Sequence, residues 1–399
     1  MDILRFITAG NVDDGKSTLI GRLLYDTGNI KDDILKSVAE DDAVNLAHIT
    51  DGLRSERAQG ITIDVAYKYF TTAHRKYIIT DAPGHFQYTK NLVTGASGVD
   101  AIIVLIDAYN GITEQTRRHS LVASFLKIKQ VVVAVNKMDM MGYSEAVFDK
   151  IKKDYLQIAV QLQMDDVTFI PMSALKGDNV TRASEQMSWY KGPSLMEWLE
   201  NCAPVKVVSE VMRFSVQYVM DTESGYAGRM LSGTVCVGDE VTMYPGEGKA
   251  SVEKIIHGYN EVQEARAGEN ICLYVSGGQA VRGSLFACAD DAPMYSNELE
   301  AMVCWLDSER TLAEGNAYLL RINGMEMSCT ITEVLYKTDV HTFEQYSNGS
   351  DVVVNEFAKV QIKTDGKVAY DLFNTLAENG RGILIDEKTN YTAGAFVVA

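Results

Sequence analysis

The sequence predicts an α/β domain, a mostly parallel sheet with helices on both faces, followed by two all-β barrel domains. Three observations carry that expectation. A complete G-x-x-x-x-G-K-[ST] motif, Gly10-Asn11-Val12-Asp13-Asp14-Gly15-Lys16-Ser17, follows directly on the apolar run Ile3-Leu4-Arg5-Phe6-Ile7. Up to about residue 200, β-branched apolar runs alternate with stretches of helical period. Beyond Ala203-Pro204-Val205 the pattern changes to short alternating strands punctuated by glycine.

The strands expected in the first part are Ile3 to Ala9, Ile61 to Phe70, Lys76 to Thr80, Ala101 to Asp107, Val131 to Val135 and Phe169 to Met172, with helices such as Ser17 to Tyr25 and Ser144 to Ile158. In the second part the expected strands include Phe214 to Val219, Gly233 to Val237, Val241 to Tyr244, Ile271 to Val275 and Ile383 to Asp386. The second part is long for one small barrel. The expected division is therefore residues 1–204, 205–292 and 293–399, the last boundary falling near Pro293.

The Gly-rich motif has a physical reading. A strand feeding a tight turn and then a helix leaves several backbone N–H groups pointing at one spot, where the helix dipole favours negative charge. Gly10 and Gly15 permit close backbone approach, and Asn11 through Asp14 shape the loop. Lys16 can reach the β- and γ-phosphates of a nucleotide, while Ser17, followed by Thr18, opens the helix with a hydroxyl suited to Mg²⁺.

Companion motifs follow in order. Asp81-Ala82-Pro83-Gly84-His85 ends the third strand, where the Asp81 carboxylate can hold Mg²⁺ through water and the Gly84 N–H can contact a γ-phosphate. Asn136-Lys137-Met138-Asp139 follows the strand ending at Val135, and a carboxylate at Asp139 can accept from both guanine N1–H and the exocyclic amine. Adenine offers no such pair, so this motif selects guanine. Ser173-Ala174-Leu175 follows the last strand and can bring a backbone N–H to the guanine O6. Arg57-Ala58-Gln59-Gly60-Ile61-Thr62 supplies a threonine, Thr62, able to close onto Mg²⁺ when a γ-phosphate is present. Each residue has an ordinary reading as a turn, cap or strand position. Their common placement at strand C-terminal edges, where open α/β sheets bind ligands, makes GTP the expected ligand.

Composition and charge narrow the classes further. The chain has 399 residues, 46% hydrophobic and 23% charged, as in ordinary globular proteins. Asp2 and Arg5 interrupt the apolar N-terminal stretch, so no secretory leader or membrane span is expected and the location reads as cytoplasmic. The six cysteines form no C-x-x-C pair and read as reduced core residues. Of the net charge of −17, residues 1–204 carry −4 (22 Lys+Arg against 26 Asp+Glu) and residues 205–399 carry −13 (15 against 28). The acidic second half is poorly suited to a polyanion, which argues against nucleic acid as a partner.

The stretches Gly10 to Asp26, Asp51 to Tyr67 and Asp81 to Ser97 resemble the translational-factor class of GTPases and, within it, the large GTP-hydrolysing subunits of bacterial ATP sulfurylases. Asp14 is similar to those subunits, whereas tRNA-delivering factors typically have His or Ser there. The resemblance extends through Gly225-Tyr226-Ala227-Gly228 and Arg282-Gly283 to Ile383-Leu384-Ile385-Asp386. It implies a GTPase that pairs with a small catalytic adenylyltransferase subunit, which makes adenosine 5′-phosphosulfate and pyrophosphate from ATP and sulfate. It also implies that His85 orients the attacking water, with Val12 and Ile61 as an apolar gate and Lys16 and Thr62 assisting. The chain departs from the family at Phe86 and Ser224 and in a short stretch between Asp26 and Asp51. Two other classes stay open: an elongation-factor-like GTPase that binds aminoacyl-tRNA, and a GTP-dependent assembly module with little turnover.

Overall fold

The computed structural model describes residues 2–30, 39–40, 43–44, 46–49, 65–203, 209–220, 225–347 and 351–399. Thr62 and Ile61, the threonine and one half of the expected gate, lie outside the described residues, as does Ser224. The chain forms two compact units, Met1–Val205 with Val340–Phe343, and Lys206–Asp339 with Glu344–Ala399.

The first unit is built on six strands: β1 (Ile3–Ala9), β2 (Ala66–Thr71), β3 (Lys76–Asp81), β4 (Ala101–Asp107), β5 (Gln130–Asn136) and β6 (Val167–Pro171). Their order is β2-β3-β1-β4-β5-β6. Every pairing is parallel except the β2–β3 hairpin. All seven residues of β4 are buried, because a central parallel strand is covered on both faces. Among the described residues five helices accompany the sheet: α1 (Lys16–Asp26), α2 (Thr89–Ala96), α3 (Glu114–Phe125), α4 (Glu145–Gln161) and α5 (Leu195–Asn201).

The helix starts differ in a way that matters. Thr113 caps α3 and Ser194 caps α5, each in a reciprocal capping box with the residue three positions on. No side chain caps α1, whose N-cap is Gly15 at φ 94°. A glycine there keeps the turn unstrained and leaves the first helical N–H groups for something else. At the far end of the unit, Arg75 follows the β2–β3 turn. Its guanidinium bonds Asp2 at 2.7 Å and the carbonyls of Leu199 and Cys202 at 3.0 and 2.6 Å, a cation placed on the C-terminal end of α5.

The second unit holds two closed barrels, all of whose pairings are antiparallel. In the first, the strand order is Glu240–Tyr244, Leu285–Cys288, Arg213–Val219, Gly225–Ser232, Asn270–Ser276 and Gly248–His257. The last of these pairs back onto the first. The second barrel runs Ala317–Ile322, Arg381–Ile385, Thr392–Val398, Met294–Trp305, Phe357–Tyr370 and Met325–Thr338, closed likewise. Closure leaves the six strands of each ring without a free edge. Phe214, Tyr226 and Phe286 fill the first barrel, and Trp305, Tyr318 and Phe396 the second. Leu231, Tyr244, Leu285 and Ala287 of the first barrel form one apolar cluster with Ala369 and Leu376 of the second. Beside it, buried Arg213 makes a two-pronged bond to Asp371 at 3.0 and 2.9 Å, and Asn379 donates to the same carboxylate at 2.7 Å.

Candidate nucleotide site

The loops after β1, β3, β5 and β6 all leave the C-terminal edge of the sheet. The chain passes from β1 to β3 on one side and then to β4 on the other, and this switch point opens a crevice beyond β1. The phosphate loop lies there. Within it, the Asp14 carboxylate accepts the Asn11 N–H at 2.6 Å, and the Asn11 side chain accepts the Val12 N–H at 2.9 Å. The Lys16 ammonium donates to the carbonyls of Gly10 at 3.0 Å and Asn11 at 2.8 Å. Burial pushes the Lys16 pKa below the ordinary lysine value, and Asp81, Asp14 and Asp13 oppose that shift. Gly84 presses on this arrangement. A Cβ on it would lie 2.6 Å from the Gly10 carbonyl oxygen and 2.8 Å from the Asn11 carbonyl carbon, so only glycine fits.

Asn136, the last residue of β5, ties the loops together. Its amide donates to the Asp14 carbonyl at 2.8 Å, and its side-chain oxygen accepts the Ala174 N–H at 2.9 Å. The sequence reading placed Asn136 among the nucleotide-binding residues without a stated contact, and both ends of its side chain are taken by backbone. The Ala174 N–H, a candidate for guanine O6, is likewise committed to Asn136, which leaves the next N–H along, at Leu175, in an exposed turn. Lys137 adopts a left-handed backbone at φ 63°, and its ammonium bonds Asp107 at 2.9 Å. Asp139 lies beyond the strand, in the 3₁₀ turn Met138–Met141, and is half-buried. The buried Ser173 hydroxyl accepts the Lys176 N–H at 3.2 Å and shapes the turn.

Two contributors escaped the sequence reading. Arg22 on α1 donates to the Ala174 carbonyl at 3.1 Å and to the Leu175 carbonyl at 2.5 Å, fixing the loop after β6 from behind. Asp107, at the end of β4, also accepts from the Tyr109 N–H at 2.8 Å and the Asn110 amide at 3.2 Å, so the carboxylate that holds Lys137 is itself held. The signal for Asp107 was its place as the one acid closing an apolar strand. Arg22 lay inside the motif region but carried no local sign of its target.

On the hydrolytic side, Asp81 is buried at the end of β3, and Ser17 is half-buried in the first turn of α1. Thr18 follows it, also half-buried, and Val12 and Asp13 lie on the accessible rim of the loop. His85 is half-buried; its Nδ1 accepts the Gln87 N–H at 3.3 Å, and its ring lies 6.1 Å from that of Tyr88. Among the described residues no cluster of three or more His, Cys, Asp or Glu is arranged to hold a metal ion. Ser17 and Asp81 instead supply hard oxygen donors beside the phosphate position. That set fits Mg²⁺, which takes few protein ligands and completes its shell with phosphate and water.

The family description "Elongation factor Tu GTP binding domain" matches residues 1–219, and "GTP-eEF1A C-terminal domain-like" matches residues 298–399. The chain is 43% identical over 410 residues to "Sulfate adenylyltransferase subunit 1" of Teredinibacter turnerae, covering 99% of this chain and 86% of that protein. It is 41% identical over 409 residues to the protein of the same name from Francisella tularensis, covering 100% and 87%. It is also 41% identical over 409 residues to the "Bifunctional enzyme NodQ" of a Rhizobium species, covering 99% of this chain and 63% of that one. Among solved structures, Sup35 complexed with GDP is 21% identical with a TM-score of 0.46, covering 100% and 94%. Among the described residues, no helix is long and apolar enough to cross a membrane.

Proposed function

The chain belongs to the sulfate adenylyltransferase subunit 1 family and carries an elongation factor Tu-type GTP-binding domain, and from that premise we propose that it is the GTP-hydrolysing half of a two-subunit, cytoplasmic ATP sulfurylase. The partner is a small adenylyltransferase subunit, which forms adenosine 5′-phosphosulfate and pyrophosphate from ATP and sulfate. Hydrolysis on this chain helps drive that uphill step. The observation that supports the reading most is the Asn136 bridge, which joins the phosphate loop to the loop after β6, the two loops that one guanine nucleotide would span.

In this reading residues 1–204 bind the nucleotide and the modules 205–292 and 293–399 follow. Backbone N–H groups of residues 10 to 18 and the Lys16 ammonium hold the β- and γ-phosphates. Asp139 selects guanine, and Asn136, Lys137 and the turn at Ser173 to Leu175 complete the base side of the site. Ser17, Asp81 and Thr62 hold Mg²⁺, which neutralises phosphate charge when bound. His85 orients the water that attacks the γ-phosphorus as the bond to the bridging oxygen breaks, behind a gate of Val12 and Ile61. Such a step needs positioning and charge stabilisation rather than covalent help.

The net −13 on residues 205–399 disfavours the tRNA-binding alternative, since those barrels would have to meet a polyanion. The test uses the full chain with a small adenylyltransferase subunit from the same cells. Sulfate-dependent pyrophosphate release should rise with GTP and not with a non-hydrolysable analogue. His85→Ala should lower GTP turnover about a hundredfold with GTP affinity unchanged. Sulfate-dependent pyrophosphate release by the chain alone, or a GTPase rate indifferent to the small subunit, would overturn the reading.

A further inference from the structure

An anion-binding loop that buries a carboxylate is a contradiction needing a physical reason. Asp14 is 2% exposed, and its carboxylate lies inside the phosphate loop against the Asn11 N–H at 2.6 Å. Accepting that one N–H does not require a charge, because an amide or hydroxyl oxygen accepts equally well. The same residue 11 offers its carbonyl to the Lys16 ammonium at 2.8 Å, so the acid and the phosphate-binding cation stand on opposite ends of one residue. The other charges that face Asp14 are Lys137, which favours its ionised form, and Asp107, which opposes it. Burial raises its pKa to about 6, so it is still largely ionised at neutral pH, at an energetic cost to the empty loop.

We propose that Asp14 sets how quickly spent nucleotide leaves: its buried charge offsets Lys16 in the empty loop, opposes the incoming phosphates, and so lowers GDP affinity and speeds GDP release. It acts as a positioning residue, through the loop and Lys16. A unit charge held within roughly 8 Å of a phosphate in a protein-like dielectric changes affinity by on the order of tenfold or more. The inference rests on residues 10–18 being the phosphate cradle.

The experiment compares the full wild-type chain with Asp14→Asn, which keeps an acceptor for the Asn11 N–H and removes the charge. Release of a fluorescent GDP derivative is followed by stopped flow in the presence of Mg²⁺, and guanosine affinity is measured alongside. The expected result is GDP release slowed about tenfold, GDP bound correspondingly tighter, and guanosine bound as before. Mere damage to the loop would weaken GDP, so a gain in affinity is the signature of the charge. GDP release as fast as in wild type, or faster, overturns the proposal. If Asp14→Asn does not fold, Asp14→Ser carries the same expectation and the same overturning result. Lys16→Ala is the control for the cradle itself: unchanged GDP affinity there would remove the premise, separately from any outcome at Asp14.

Discussion

The nucleotide crevice and the seam between the barrels both hold polar side chains away from solvent, some of them reaching across more than a hundred residues of sequence, yet they use them differently. In the crevice the side chains end on backbone: Asn136 on Asp14 and Ala174, Arg22 on Ala174 and Leu175, Lys16 on Gly10 and Asn11. At the seam they end chiefly on one another, with Arg213 and Asp371 in a two-pronged pair joined by Asn379. The first pattern fixes the shape of loops that come from distant parts of the chain. The second closes on itself and offers a ligand nothing. Buried polarity thus shapes loops in one unit and pairs side chains in the other, and the two should fail differently.

The largest effect should come from the seam. Arg213→Met strands the Asp371 carboxylate in a site where it is 9% exposed, and should cost about 3–5 kcal/mol in denaturant unfolding of the barrel unit. GTP affinity should stay within about twofold of wild type. Adding Asp371→Leu should restore most of the stability, since replacing both partners removes the uncompensated charge. A double variant as unstable as the single one would show that the seam depends on something other than this pair.

Asn136→Ala is the reciprocal case. It leaves the Asp14 carbonyl and the Ala174 N–H unpaired, and should weaken GTP binding by about 2–4 kcal/mol while the barrels unfold as before. Titration of GTP and GDP measures it. Unchanged affinity for both nucleotides would mean that the two loops keep their spacing without the strut.

The smallest effect sharpens the comparison through acid. His119 on α3 is 4% exposed, and burial lowers its pKa to about 3, with Lys16 and Arg118 adding to the shift. It is neutral in the folded protein, whereas the unfolded chain takes up a proton below about pH 6.5, so its contribution to stability is lost as pH falls through that point toward 3. Asp14 runs the other way: its folded pKa is raised to about 6, so the unfolded state gains on the folded one as pH rises from about 4 to 6. His119→Phe should therefore unfold less readily than wild type between about pH 6 and 4, by a few kcal/mol at most, and differ little in acid sensitivity above pH 7. Identical acid midpoints for the two proteins would remove His119 as the source.

The parts of the site readable from sequence are those whose chemistry is satisfied locally. Gly15 is demanded by a left-handed turn, and Lys16 by the phosphate loop itself. The strand ends were readable too, because β4 and β5 are long β-branched runs that stop at Asp107 and Asn136. What stayed hidden depends on which residue meets which across the fold. Asn136 could be seen as a polar residue at a strand end, but not that its target lies 122 residues earlier. Arg22 reads as an ordinary exposed position on a helix until the loop 152 residues later arrives against it. In the barrels, Gly225-Tyr226-Ala227-Gly228 was legible as a motif, while the place of its strand between two partners depends on ring closure that no single segment encodes.

Arg75 has an engineering consequence. Because one guanidinium holds both Asp2 and the Cys202 carbonyl, two points of the first unit 200 residues apart in sequence are clasped within the span of a single side chain. A segment clasped in this way is the natural one to cut out as a cassette: residues 2–202 could have their ends joined by a short linker and new ones opened elsewhere without stretching the sheet.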